Sequence, residues 1–252
     1  MSGSLTETAR AIGEGLLDLL YPPVCLVCRR PNGDGSLCAV CRSDAHPLQP
    51  PFCDRCGAPV AAGLLVCERC AGEPDPAFAW SVAAFQYSGT IRRAIHIMKY
   101  RRRAALGRPL GEMLAAYLRC AGQPLLPEGC GGVSEAFDLV VPVPLHPAHL
   151  RRRTFNQAER IARPVAEAFG LQVDADGVRR ISGRQSQTIV DPAARMENVR
   201  GAFAASPGRF DGKSVLVIDD VLTTASTARE VARVIRDAGA RRICVAAVAR
   251  SI

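Results

Sequence analysis

Asp219 and Asp220 stand side by side behind an apolar β-branched run, and small hydroxyl residues follow them, so that residues 215–227 read VLVIDDVLTTAST. Adjacent carboxylates at the end of a strand can accept bonds from the vicinal hydroxyls of a ribose. A loop of Thr223, Thr224, Ala225, Ser226 and Thr227 can close tightly around phosphate oxygens, and a helix start behind it offers free amides and a positive dipole end. The order is that of a sugar-phosphate cradle. Taken singly, the Asp pair reads as a strand terminator and the hydroxyls as helix caps; their ordered combination favours the cradle.

Eight of the eleven cysteines carry a second chemistry. Cys25/Cys28, Cys38/Cys41, Cys53/Cys56 and Cys67/Cys70 form four C-x-x-C knuckles, and two knuckles can supply four thiolates to one tetrahedral zinc ion. A closed four-cysteine site has no open coordination position, so its expected role is structural. Nine residues separate Cys28 from Cys38 and ten separate Cys56 from Cys67, which suggests a repeat of two zinc ribbons. Sequential pairing places one ion on Cys25, Cys28, Cys38 and Cys41 and another on Cys53, Cys56, Cys67 and Cys70; crossed pairing stays open at this point. Disulfides are disfavoured without a secretory signal, and redox pairs are unusual in fourfold repetition. Cys120, Cys130 and Cys244 read as ordinary thiols.

The elements that must position these groups alternate. Val215 to Ile218 reads as a strand buried on both faces of a parallel sheet, with the Asp pair at its end. Thr227 and Glu230 fit a capping box; Val231, Val234, Ile235 and Ala238 then recur at helical spacing before Gly239. Strands are also expected over 79–87, 137–144 and 242–249, helical segments over 88–118 with a break near Gly107 to Pro109, and a helix over 156–169 that tolerates Pro164. This alternation predicts an α/β fold, a parallel sheet with right-handed crossovers. The stretch from Gly72 to Pro76 divides the chain into a module of 1–76, a helix plus the double ribbon, and a domain of 77–252. Gly212-Lys213-Ser214 imitates the end of a P-loop, but Gly208 is one residue too close and the segment precedes its strand, so it reads as a turn.

The turn Pro144-Leu145-His146-Pro147 leads into a basic loop, Arg151 to Gln157, which enters the helix over 156–169. If the strand over 137–144 neighbours Val215 to Ile218, that loop faces the cradle. Other arginines cluster at 92–93, 101–103, 179–180 and 241–242. The formal charge of +8 falls to about +4 once eight thiolates and two zinc ions are counted, and aromatics make up only 5% of the chain, which gives few platforms for stacking bases. No stretch approaches a membrane span and no secretory signal is visible, so a cytoplasmic protein without membrane insertion is expected. Leu5, Ala9, Ile12, Leu16 and Leu20 follow a helical stripe suited to docking.

The 215–227 segment resembles the diphosphoribosyl-binding motif of type I phosphoribosyltransferases. That resemblance implies that Asp219 and Asp220 meet the ribose hydroxyls and Thr223 to Thr227 the 5-phosphate of phosphoribosyl pyrophosphate, bound with magnesium. Together with the zinc knuckles, VPVPLHP, FNQAE and NVRGAF at Asn198 to Phe203, the whole chain resembles the competence-associated ComF family, whose members join a zinc module to a phosphoribosyltransferase-like domain and are linked to handling incoming single-stranded DNA. By that resemblance Leu145, Arg151, Arg153, Asn156 and Gln157 form the pyrophosphate loop, and Met98-Lys99-Tyr100 matches a family segment. Ala148, His149, Arg152 and Thr154 differ from the residues usual there. The interval from Gly183 to Asn198 corresponds to a hood over the reaction centre, with Arg184, Gln187, Arg195 and Asn198 as candidates to close on the ligand or to serve surface roles.

Three readings follow. An enzyme would transfer the phosphoribosyl group, with the Asp pair positioning ribose and with magnesium, Arg151 and Arg153 offsetting charge on the departing pyrophosphate. A non-enzymatic adaptor would use the pocket to sense a ligand or a DNA 5-phosphate while the arginines track a single strand; single-stranded DNA or DNA-uptake proteins are the partners expected. A redox or zinc-storage protein would use the thiols alone.

Overall fold

A computed structural model describes residues 23–33, 36–53, 55–72, 77–121, 126, 130–181 and 199–251 of the 252. The stripe from Leu5 to Leu20, most of the Gly72 to Pro76 boundary and the candidates Arg184, Gln187, Arg195 and Asn198 lie outside them. The cysteine module carries two short helices, α1 (Ala39–Ser43) and α2 (Glu68–Ala71). There follow β1 (Trp80–Gln86), α3 (Gly89–Tyr100), α4 (Gly107–Ala121), α5 (Val133–Ala136), β2 (Leu139–Pro142), α6 (Pro147–Arg153) and α7 (Gln157–Phe169). The chain continues through β3 (Gln172–Val173), β4 (Val178–Arg180), β5 (Phe203–Ala205), β6 (Ser214–Leu222), α8 (Ser226–Asp237) and β7 (Arg242–Arg250).

Five strands form one sheet in the order β1-β7-β6-β2-β3, every pairing parallel. Val215, Leu216, Val217 and Ile218 have no exposed surface, as a strand covered on both faces requires. Leu216 and Ile218 pack with Ile91, Leu114 and Ile161 of α3, α4 and α7, whereas Val215 and Val217 pack with Val231 and Ile235 of α8. The alternation along one strand thus sorts the helices into two layers. β3, β4 and β5 are two or three residues long, too short to show in the sequence pattern; β4 and β5 make a separate antiparallel pair.

β6 corrects the expected strand end. Its pairing with β2 stops at Ile218 opposite Pro142, but its ladder to β7 continues to Leu222 opposite Arg250. Asp219 and Asp220 therefore lie inside the strand, on a step where one neighbour has ended and the other has not.

The cysteine module is sewn to the edge of this sheet. The Leu48 amide donates to Ala84 O at 2.9 Å and the Gln86 amide to His46 O at 3.0 Å, so residues 46–48 run along β1. On the second ribbon, Gly57 has φ +66, and a Cβ there would lie 2.0 Å from the Ser81 carbonyl oxygen of β1. Among the described residues no helix is long and apolar enough to cross a membrane. Gly57→Ala should combine a left-handed penalty of about 1–2 kcal/mol with a backbone clash, and is expected to lower the urea unfolding free energy by more than about 2 kcal/mol; an unchanged midpoint would refute this close docking.

Candidate functional site

Successive residues of a strand point to opposite faces, which separates the two carboxylates. Asp220, 4% exposed, turns toward α3, where Lys99 Nζ meets its Oδ2 at 2.7 Å. Burial opposes the lysine charge, but the Asp220 and Asp219 carboxylates outweigh it and hold the ammonium above its ordinary range. Asp219 is half-buried, and its Oδ1 accepts the Asp220 amide at 2.8 Å. Its own burial and then the Asp220 charge push its carboxyl up to about 7. One acid is matched by a cation, and the other waits near neutrality.

Arg153 joins them. It is 8% exposed, donates from Nη1 to Gln157 Oε1 at 3.0 Å, and lies with Cζ 5.6 Å from the Tyr100 ring centroid. Burial lowers its basicity and the Asp220 charge opposes that loss. Its buried Nε has no hydrogen-bond partner among the described residues, a donor suited to an incoming anion. Arg153 comes from a segment expected to be a basic loop, and the structure corrects that to α6. Pro147 occupies its first turn, His146 Nδ1 accepts the Ala148 amide at 3.1 Å, and Thr154 ends it with φ +69. The helical turn directs Arg153 inward and leaves Arg151 exposed. Asn156 caps α7 through the Ala158 amide at 3.0 Å and donates to Val143 O at 3.0 Å, tying α7 to the end of β2. Leu145 lies half-buried in the intervening turn.

Beyond Leu222 the loop folds on itself. The hydroxyls of Thr224 and Ser226 bond at 2.8 Å, and Thr224 Oγ1 also accepts the Ser226 amide at 3.4 Å. Thr223 is exposed, and Thr227 is half-buried in the first turn of α8. Ala225 takes φ +58 and serves as the N-cap of α8 without a side-chain cap bond. The capping box is therefore corrected. A left-handed turn at Ala225 starts the helix at Ser226, and Glu230 turns aside to accept the Gly201 amide at 2.7 Å and to pair with Arg233 at 2.8 Å. Alanine in that conformation carries a cost of about 1–2 kcal/mol, the kind of strain found where backbone amides are aimed at a ligand.

The structure thus gathers Asp219, Asp220, Arg153 and Gln157, adds Lys99 and Tyr100, and leaves Arg151 and Leu145 at the margin. Lys99 is absent from the site set read from the sequence. Its signals are its place in the Met98-Lys99-Tyr100 segment of the resemblance and its position beside the inward stripe Ile91, Ala94, Ile95 and Met98.

The cysteines pair sequentially. Sγ atoms of Cys25, Cys28, Cys38 and Cys41 lie within 4.8 Å of one another, as do those of Cys53, Cys56, Cys67 and Cys70. A tetrahedron with zinc–sulfur bonds of about 2.3 Å has edges of about 3.8 Å. The recorded separations are 3.8 Å for Cys25–Cys41, 3.6 Å for Cys28–Cys38 and 3.8 Å for Cys56–Cys67. The residues fit two structural zinc ions.

Residues 16–71 match the double zinc ribbon domain family and residues 156–251 the phosphoribosyl transferase domain family. DNA utilization protein YhgH of Escherichia coli (strain K12) is 29% identical over 241 residues, 93% of this chain and 100% of that protein. Competence protein F of Haemophilus influenzae is 26% identical over 220 residues, 85% of this chain and 90% of its own. The chain is thus similar along most of its length to these ComF-type proteins, and joins a match to a double zinc ribbon to a match to a phosphoribosyl transferase domain. Beyond the ComF relatives, the amidophosphoribosyltransferase of Schizosaccharomyces pombe is 30% identical over 120 residues, 47% of this chain and 20% of that one. Among solved structures, the glutamine phosphoribosylpyrophosphate amidotransferase of B. subtilis covers 57% of this chain and 26% of its own at 24% identity, with a TM-score of 0.35, a likeness too loose to argue from.

Two measurements check the electrostatics. Lys99→Met leaves Asp220 buried without its cation and is expected to cost about 3–5 kcal/mol in urea unfolding; adding Asp220→Asn should restore part of that loss. The folded Asp219 carboxyl holds a proton that the unfolded chain releases, so unfolding free energy should fall as pH rises from about 4 to about 7, by at most ~4 kcal/mol. Asp219→Asn should flatten that decline.

Proposed function

We propose that this chain binds phosphoribosyl pyrophosphate with magnesium and acts as a phosphoribosyltransferase in the handling of DNA taken up by the cell. The observation that carries the reading is the convergence of the Asp219–Asp220 step, the strained loop before α8, and two cations, half-buried Lys99 and buried Arg153. On this reading the Asp pair holds the ribose hydroxyls, residues 223–227 hold the 5-phosphate, and Arg153, with Arg151 and Gln157 beside it, meets the pyrophosphate. Asp220 is already matched by Lys99, so Asp219 is the carboxylate suited to magnesium, which would be shared with ligand oxygens and would offset charge on the leaving group. Cytoplasmic residence belongs to the same reading, because thiolate clusters persist where thiols stay reduced.

A second reading, a non-enzymatic single-strand adaptor, has its own support. A groove of about 570 Å³ between the first ribbon and α3 is lined by Arg29, Arg92, Arg93, His96 and Arg101 over an apolar floor that includes Val27 and Ile97. Among the described residues, these four arginines have no carboxylate partner within ion-pair distance. The Tyr100 and His96 rings, 4.5 Å apart, continue the same face toward Arg153.

Calorimetry with phosphoribosyl pyrophosphate and magnesium separates the readings. Binding should strengthen as pH rises through about 7, where Asp219 loses its proton, and should vanish in Asp219→Asn with Asp220→Asn; absence of binding in the unaltered protein would sink the enzyme. For the adaptor, the logarithm of single-strand affinity should fall with the logarithm of salt by about 0.7 per phosphate contacted. Arg92→Glu with Arg93→Glu should shallow that slope, while affinity indifferent to salt would count against it.

A further inference from the structure

The second zinc site is built into the phosphate loop. Arg250 closes β7 and is 1% exposed, and it sits opposite Leu222, the last residue of β6 before the loop. Its Nη1 donates to Cys56 O at 2.7 Å and its Nη2 to Cys56 Sγ at 3.3 Å. Arg229, in the first turn of α8, donates from Nη2 to Cys70 Sγ at 3.4 Å, while its amide bonds the carbonyl of the strained Ala225 at 2.9 Å. The loop over 223–226 is thus bracketed on its entry side by a strand whose partner grips one sulfur, and on its exit side by a helix that grips another.

Chemistry makes these contacts depend on metal. Four thiolates around one divalent zinc leave two negative charges, and two guanidiniums match them. A thiolate accepts a charge-assisted bond, whereas a thiol is a weak acceptor. Without zinc, the Nη2 of buried Arg250 would face a thiol in place of a thiolate, and this part of its electrostatic match would weaken. Backbone amides donate to sulfurs of both clusters, those of Cys38 and Cys41 to Cys25 and Cys38 at 3.5 Å and that of Cys67 to Cys53 at 3.3 Å; the second is the one that also meets the guanidiniums of the sheet and α8, whereas the first packs with α3 and α4.

We infer that Arg229 and Arg250 are positioning residues that make the phosphate loop conditional on zinc at Cys53, Cys56, Cys67 and Cys70, so that this ion, unlike the first, sets the affinity for a phosphoribosyl ligand. The ligand half of the statement rests on the proposed function; the coupling of metal to loop does not. The test compares Cys70→Ser, Arg229→Gln and, in the first ribbon, Cys28→Ser, reading zinc content, amide hydrogen exchange over 222–230, and calorimetric affinity for phosphoribosyl pyrophosphate with magnesium. Cys70→Ser should retain one zinc, and Arg229→Gln both. Each should speed exchange over 222–230 and weaken the ligand at least tenfold, while Cys28→Ser should lose one zinc with exchange and affinity at wild-type levels. Wild-type exchange in Cys70→Ser and Arg229→Gln, or an equal rise in Cys28→Ser, would overturn the coupling. If Cys70→Ser fails to fold, Arg229→Gln against Cys28→Ser decides by the same criteria. If the unaltered protein does not bind the ligand, the proposed function falls while exchange still judges the coupling; if all variants bind equally, the coupling falls alone.

Discussion

The pair between Lys99 and Asp220 is the constraint around which the site is organised. It joins the last turn of α3 to the final third of β6, 2.7 Å apart and largely out of water. A buried ion pair contributes little net stability against an apolar replacement, yet removing one partner is costly. Its value is therefore positional. Asp220 held on one face leaves Asp219 on the other with a carboxyl that burial and its neighbour keep near neutral. Two adjacent acids acquire different tasks from the alternation of a strand and one lysine.

The step in the sheet makes this possible. Pro142 ends the pairing of β2 opposite Ile218, while β7 carries β6 on to Leu222. Had both neighbours ended together, the Asp pair would stand in a loop without a ladder to fix its alternation. Had both continued, the carboxylates would be walled in. Arg153 and Gln157 enter through the gap beside β2, from α6 and α7, which follow the proline turn.

Much of this was legible in the residues. A β-branched run without turn residues can only be a covered strand, and knuckles at near-equal spacing can only repeat a motif, so the sheet centre and the two clusters were readable. What escaped depends on contacts that no local pattern records. Lys99 differs from other helix-surface lysines only because β6 brings Asp220 beneath it. The capping box at Thr227 is a sound local pattern overruled by Ala225, whose left-handed turn begins the helix two residues earlier. The basic stretch 151–153 looked like a loop because charge masked the helix start signalled by Pro147 and His146. Hydrophobic periodicity reports burial against the core; it is silent on polar side chains whose partners lie far along the chain.

The contact of Arg250 with Cys56 spans 194 residues. During synthesis from the amino end, the ribbon is made first and has every thiolate it needs to take up metal. The cation that covers its inner sulfur emerges only after the entire sheet has been made, and long-range closure of this kind is slow. A ribbon that takes up its ion in that interval would hold an electrostatically unfinished centre, and placing the last strand completes two structures at once: the surroundings of the inner thiolates and the ladder that leads into the loop over 223–226.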